Sequence, residues 1–190
     1  MNFTTLENEV VLLKPLEKQD VAGILAAGSY PEIWSYLSTN IQNERDANSF
    51  VDKALQGKAL EKEFPFSIVD KKSGEIIGST RFMDIDESHQ RLEIGFTWLT
   101  PAHWHTAINT NCKYLLLKYC FEELGLQRVQ VKTDHKNEKS QRAIERIGAT
   151  KEGILRNHMI RKDGTLRNTV MYSVLKEEWP EVKVRLEQLM

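Results

Sequence analysis

Apolar residues along this chain change their period several times, and the changes divide it into elements. Residues 10–13 are a short apolar run ended by Pro15, which reads as a strand; within 16–27, Val21, Ile24 and Leu25 recur at helical spacing before Gly28. Pro31 opens a second short helical piece with Ile33, Trp34 and Leu37. Residues 43–61 then place Phe50, Val51, Ala54 and Leu55 on one face of an otherwise charged helix. Three strands are expected at 64–69, 76–85 and 91–99, separated by Lys72-Ser73-Gly74 and by the polar stretch 86–89, and they predict an antiparallel meander. In the third, Leu92, Ile94, Phe96 and Trp98 alternate with Glu93, Gly95 and Thr97, which puts Glu93 and Thr97 on the face opposite the aromatics.

After Pro101 a helix is expected with the apolar stripe Ile108, Leu115, Leu116, Tyr119 and Leu124, stopped by Gly125. Residues 128–133 read as a buried strand. Residues 137–148 read as a helix with Ala143, Ile144 and Ile147 inward and Glu138 paired with Arg142 outward. Strands at 154–161 and 166–175 flank Lys162-Asp163-Gly164, a hairpin signal, and 177–190 is a charged amphipathic helix. This order predicts a single α/β domain over residues 1–190, a mostly antiparallel twisted sheet of about seven strands flanked by helices. Leu92, Ile94, Phe96, Trp98, Leu115, Leu116, Val129, Val131, Ala143, Ile144 and Ile147 are expected to share one core.

Charge narrows the function classes. The formal net charge is -1, with Lys and Arg interspersed among Asp and Glu, so a nucleic-acid partner is not expected. No stretch approaches the roughly 18 apolar residues of a membrane span, and a cytoplasmic protein is predicted. Cys112 and Cys120 fall in one predicted helix about 12 Å apart, too far for a disulfide. The five His residues show no ligand spacing with Cys or carboxylates, so no metal is expected.

Residues 137–149 read Asn-Glu-Lys-Ser-Gln-Arg-Ala-Ile-Glu-Arg-Ile-Gly-Ala, and residues 91–99 read Arg-Leu-Glu-Ile-Gly-Phe-Thr-Trp-Leu. With the element order, these segments resemble the GNAT acetyltransferases and, within them, the RimJ/RimL-like branch, over nearly the whole chain. The resemblance implies acetyl-CoA as co-substrate and an amine acceptor, either a peptide N-terminus or a small molecule; a homodimer is left open. The family's coenzyme loop carries Gln/Arg-x-x-Gly-x-Gly/Ala, whose backbone N–H groups at a helix start receive pyrophosphate. Here the aligned residues are Trp104, His105, Thr106, Ala107, Ile108 and Asn109, without a glycine.

Acetyl transfer needs a neutral amine, a polarised carbonyl and a stabilised thiolate. Glu93 on the strand face opposite the aromatics suits a general base, directly or through water; it equally suits a strand carboxylate paired with Arg91 or another cation. Ser140 shares the inner face of its helix with Ala143, Ile144 and Ile147. The resemblance gives it a hydrogen bond to the coenzyme sulfur, while a first-turn serine also serves backbone N–H groups. Asn137 resembles the residue on the pantetheine arm and equally suits a helix cap. The end of the strand, Phe96, Thr97, Trp98 and Leu99, is where the family splays to offer an N–H to the thioester oxygen. Trp34, Tyr36, Arg156, His158 and Tyr172 are candidates for the acceptor side, each also explained by packing or a solvated strand face. Without loop glycines, a domain that binds CoA without turnover is the rival reading.

Overall fold

The computed structural model describes residues 1–190 except Asn2, Ser38 and Lys162, so the first residue of the predicted Lys162-Asp163-Gly164 turn lies outside the described residues. The strands are β1 (Leu6–Glu7), β2 (Val11–Pro15), β3 (Glu63–Asp70), β4 (Ile76–Asp86), β5 (Arg91–Leu99), β6 (Arg128–Asp134), β7 (Thr150–Ile160) and β8 (Leu166–Leu175). They form one eight-stranded sheet in the order β1-β2-β3-β4-β5-β6-β8-β7, antiparallel except at β5–β6. The eighth strand is β1, too short to show as a period in the sequence. The helices are α1 (Val21–Gly28), α2 (Glu44–Ala59), α3 (Ile108–Lys118), α4 (Glu138–Arg146) and α5 (Trp179–Leu189). Among the described residues no helix is long and apolar enough to cross a membrane, and no His/Cys/Asp/Glu group could hold a metal.

Local chemistry accounts for the helix ends. Asn43 caps α2 by accepting from the Asp46 N–H, and Asn137 caps α4 by accepting from the Ser140 N–H. The predicted helix to residue 124 is α-helical only to Lys118, and Tyr119–Glu123 form a π-helical turn before Gly125 stops it at φ 66°. Glu138 and Arg142 do pair on the exposed face of α4, at 3.3 Å.

The expected single core is two clusters. Leu92, Ile94, Val129, Val131, Ile144 and Ile147 pack with α3 and α5, whereas Trp98 packs with Ile24, Trp34 and Phe50 from the α1 and α2 side. A β-bulge in β5 causes the change. Ser79 faces Trp98 and Arg81 faces Gly95, so Thr80 alone opposes both Phe96 and Thr97. The extra residue inverts the alternation: Leu92 and Ile94 point to the larger cluster, and beyond the bulge Leu99 does so while Trp98 points away. Phe96, expected in the core, is half-buried at φ 48° with the Arg81 guanidinium 4.7 Å from its ring centre. Ala143 is also only half-buried.

Candidate active site

β5 and β6 are paired for only three residues, Arg91, Leu92 and Glu93 against Arg128, Val129 and Gln130. Beyond that point β6 stays zipped to β8 as far as Asp134, while the bulge carries β5 away. The two strands therefore diverge, and their facing edges, 94–98 and 131–134, line a cleft of about 260 Å³. Asn109 and Lys113 from α3, Asn137, Ser140 and Ala143 from the start of α4, Ile33, Tyr36 and Leu37 from the segment after α1, and Arg167 from β8 add to its wall. A second cavity adjoins it. There His103, Trp104, His105, Thr106 and Asn109 face Lys139, Arg142 and Arg146 on α4.

The connecting loop is pinned at both ends. Trp104 Nε1 donates to the Leu99 carbonyl at 2.8 Å, and Thr106 accepts from the Ile108 N–H at the start of α3. Without glycine the loop divides its geometry. His105 takes the left-handed conformation at φ 60°, which costs a non-glycine residue about 1 kcal/mol, while Ala107 is helical at φ -69° and its Cβ costs nothing there. Ile108 points into the core rather than toward either cavity.

Glu93 does not line the cleft. Its side chain is 2% exposed, with Oε2 beside Lys132 Nζ at 2.7 Å, close enough for an ion pair but without hydrogen-bond geometry. The carboxylate lies next to Gly95, which does line the cleft: a Cβ on Gly95 would stand 2.9 Å from Glu93 Oε1 and 2.8 Å from Met83 Sδ. The missing side chain is thus a window between the cleft and the carboxylate. Lys132, not Arg91, is its cationic partner; Arg91 binds Asp84 and Asp86.

Ser140 lies on the wall of the cleft, and its hydroxyl makes no hydrogen bond to any described residue. Asn137 lines the cleft, and its side-chain carbonyl oxygen caps α4. Of the acceptor-side candidates the cleft receives only Tyr36. Trp34 is core, with Nε1 donating to the Gly28 carbonyl, and Tyr172 is fully buried with its hydroxyl on Glu145. Arg156 and His158 sit on the exposed edge strand β7, away from the cleft, because extra residues bulge there between Leu155 and Met159.

Sequence reasoning missed Lys113, Lys132, Asp134 and Arg167, all of which line the cleft. Lys113 is 5% exposed and donates to Thr97 Oγ1 at 3.0 Å, its one hydrogen bond to the described residues; Thr97 also bonds Thr80 across the bulge. Burial lowers the Lys113 pKa to about 8. A signal existed, because Lys113 heads the apolar positions Leu116, Leu117 and Cys120 at i+3, i+4 and i+7.

A mixed sheet split between its parallel pair, with a cation-flanked helix start beside the split, is the arrangement that the resemblance to the acetyltransferases implies. Residues 11–150 match the model of the Acetyltransferase (GNAT) domain, and the chain belongs to that family. It is 31% identical over 180 residues to the uncharacterized N-acetyltransferase p20 of Bacillus licheniformis, covering 92% of this chain and 98% of the relative. A GCN5-related N-acetyltransferase from Brucella melitensis superposes with a TM-score of 0.93 at 30% identity, covering 100% of this chain and 87% of that one. Mycobacterium smegmatis RimJ, solved in complex with CoA-disulfide, shares the fold at a TM-score of 0.80 and 20% identity over 97% of this chain and 92% of its own.

Proposed function

We propose that this chain transfers an acetyl group from acetyl-CoA to a primary amine by direct attack. The observation that carries the reading is the split between β5 and β6, which opens two strand edges beside a window onto a buried carboxylate. The residues present fit the co-substrate. Backbone N–H groups at the start of α3 with Lys139, Arg142 and Arg146 opposite would hold the pyrophosphate, so cations do what loop glycines do elsewhere. The fold neighbour RimJ, whose solved complex holds CoA-disulfide, supports this assignment.

In this reading the bulged end of β5 directs a backbone N–H at the thioester oxygen. Glu93, reached over Gly95 through a water, takes the proton of the acceptor ammonium. The amine nitrogen bonds to the carbonyl carbon, the carbon–sulfur bond breaks with the second nitrogen proton passing to the thiolate, and the unengaged Ser140 hydroxyl donates a hydrogen bond to that departing sulfur. Mass spectrometry for copurified CoA, followed by thiol release over an amine panel, tests this. Ser140→Ala should lower kcat about tenfold or more with CoA affinity nearly unchanged, because its bond strengthens as charge develops on sulfur. CoA binding without thiol release from any amine would replace the enzyme by a binding module.

A further inference from the structure

Arg167 on β8 is a cation in search of a partner. Its side chain is 16% exposed and lines the cleft, yet it makes no hydrogen bond to the described residues, and its Nε is wholly buried without an acceptor. The nearest carboxylate, Asp134, is 4.0 Å away and already committed. Arg161 donates to it through Nε at 2.8 Å and Nη2 at 3.0 Å, and the Lys136 N–H donates at 2.9 Å. A half-buried guanidinium whose buried Nε has no acceptor is costly unless something completes its fork, and a planar oxyanion is the group that fits.

The charge of the whole cleft points the same way. Asp134 in its wall is matched by Arg161, and Glu93 just behind the wall by Lys132, while Arg167 and Lys113 have no carboxylate partner at hydrogen-bond distance. The cleft therefore has an excess of positive charge in a poorly solvated place. This excess is separate from the phosphate-facing cations, since Arg167 lines the cleft and not the adjoining cavity of Lys139, Arg142 and Arg146. A purely cationic acceptor such as a polyamine meets repulsion there; an amine that also bears a carboxylate brings the missing counterion.

We propose that the acceptor carries a carboxylate as well as its amine, and that Arg167 is the residue that holds that carboxylate. This rests on the acetyltransferase reading above and assigns the substrate class of the same site. Leucine and leucinamide form a pair that reports an α-carboxylate, glutamate and glutamine a pair that reports a side-chain carboxylate, and spermidine is the cationic control.

With acetyl-CoA and the whole chain, at least one acid should exceed its amide about tenfold or more in kcat/KM. Arg167→Gln should erase that preference through KM, leaving the KM for acetyl-CoA unchanged, and Arg167→Lys should restore part of it. Preference for the amides or for spermidine, or an equal loss on acid and amide in Arg167→Gln, overturns the proposal and leaves acetyl transfer standing. If no amine releases thiol, the acetyl-transfer reading fails instead. Calorimetry of N-acetylleucine against N-acetylleucinamide, and of N-acetylglutamate against N-acetylglutamine, with CoA present still decides the charge question. Tighter binding of an acid supports the proposal, and equal or weaker binding of both acids overturns it.

Discussion

The two strands that border the cleft are held in different ways. β6 pairs with β8 at each of its seven residues, and its inward side chains Val129 and Val131 are buried in the larger cluster, Val131 also bordering the cleft. β5 loses β6 after Glu93, accommodates an extra residue opposite Thr80, and bends through Phe96 at a backbone angle that an aromatic residue rarely adopts. The regular strand forms a rigid wall. The irregular one supplies the opening, the inverted side chains and the exposed backbone that chemistry requires. Two Lys residues sit at this contrast: Lys132 on the regular strand neutralises Glu93, and Lys113 reaches the bulge from α3 without a carboxylate beside it.

The largest effect is expected where the bulged strand touches its neighbour. A Cβ on Gly78 would stand 2.2 Å from the Trp98 carbonyl oxygen, and backbone cannot yield as a side chain tip can. Gly78→Ala should cost about 3 kcal/mol in denaturant unfolding, at the upper end for overpacking. A cost near zero would mean that the β4–β5 register is wrong.

Next is the window. Glu93→Gln should lower kcat/KM on the order of a hundredfold at low pH, where the acceptor is protonated and a base is needed. The deficit should shrink as pH nears the amine's own pKa. A loss that is constant across pH would assign Glu93 to holding Lys132 rather than to proton transfer.

Lys113 gives an effect of opposite sign. A lysine held at about 8 instead of 10.5 destabilises the fold on the order of 3 kcal/mol while charged. Because the folded state gives up this proton first, the penalty is complete below pH 8 and disappears as pH rises toward 10.5. Lys113→Met should therefore stabilise the protein by about 1–3 kcal/mol at pH 7 and remove the wild-type gain between pH 8 and 10. Equal pH profiles for the two proteins would show that the ammonium is better solvated than the structure has it.

The smallest change belongs to the loop. His105→Gly relieves the left-handed strain at φ 60° but loosens the unfolded chain, so a gain of a few tenths to about 1 kcal/mol is expected in thermal unfolding. A clear loss would indicate that the imidazole holds the loop.

This contrast also explains what was legible in the sequence. Every helix and seven of the eight strands follow from apolar period and stop signals, because β6, α2 and α4 obey local rules and their caps at Asn43 and Asn137 are local too. Ser140 was turned toward the cleft by helical spacing, whereas Tyr36 was one of five acceptor-side candidates of which the cleft receives one. The bulge was not legible, since Phe96 is an ordinary strand residue by type and its conformation is imposed by the sheet around it. Misreading that one residue put Phe96 in the core and Trp98 on the wrong face. Lys132 and Arg167 were missed because the groups they face lie on other strands, and a chain position says nothing of a neighbour that the topology creates.

The measurement that bears most directly on the cleft is the melting temperature under titration with acetyl-CoA. At about a hundred times its dissociation constant a ligand adds about 2.7 kcal/mol to stability, which for a domain of this size raises the melting point by roughly 5–10 °C. The account predicts that rise for acetyl-CoA, and a smaller one after Arg142→Glu and Arg146→Glu reverse the cations facing the loop. No rise at millimolar acetyl-CoA would contradict it.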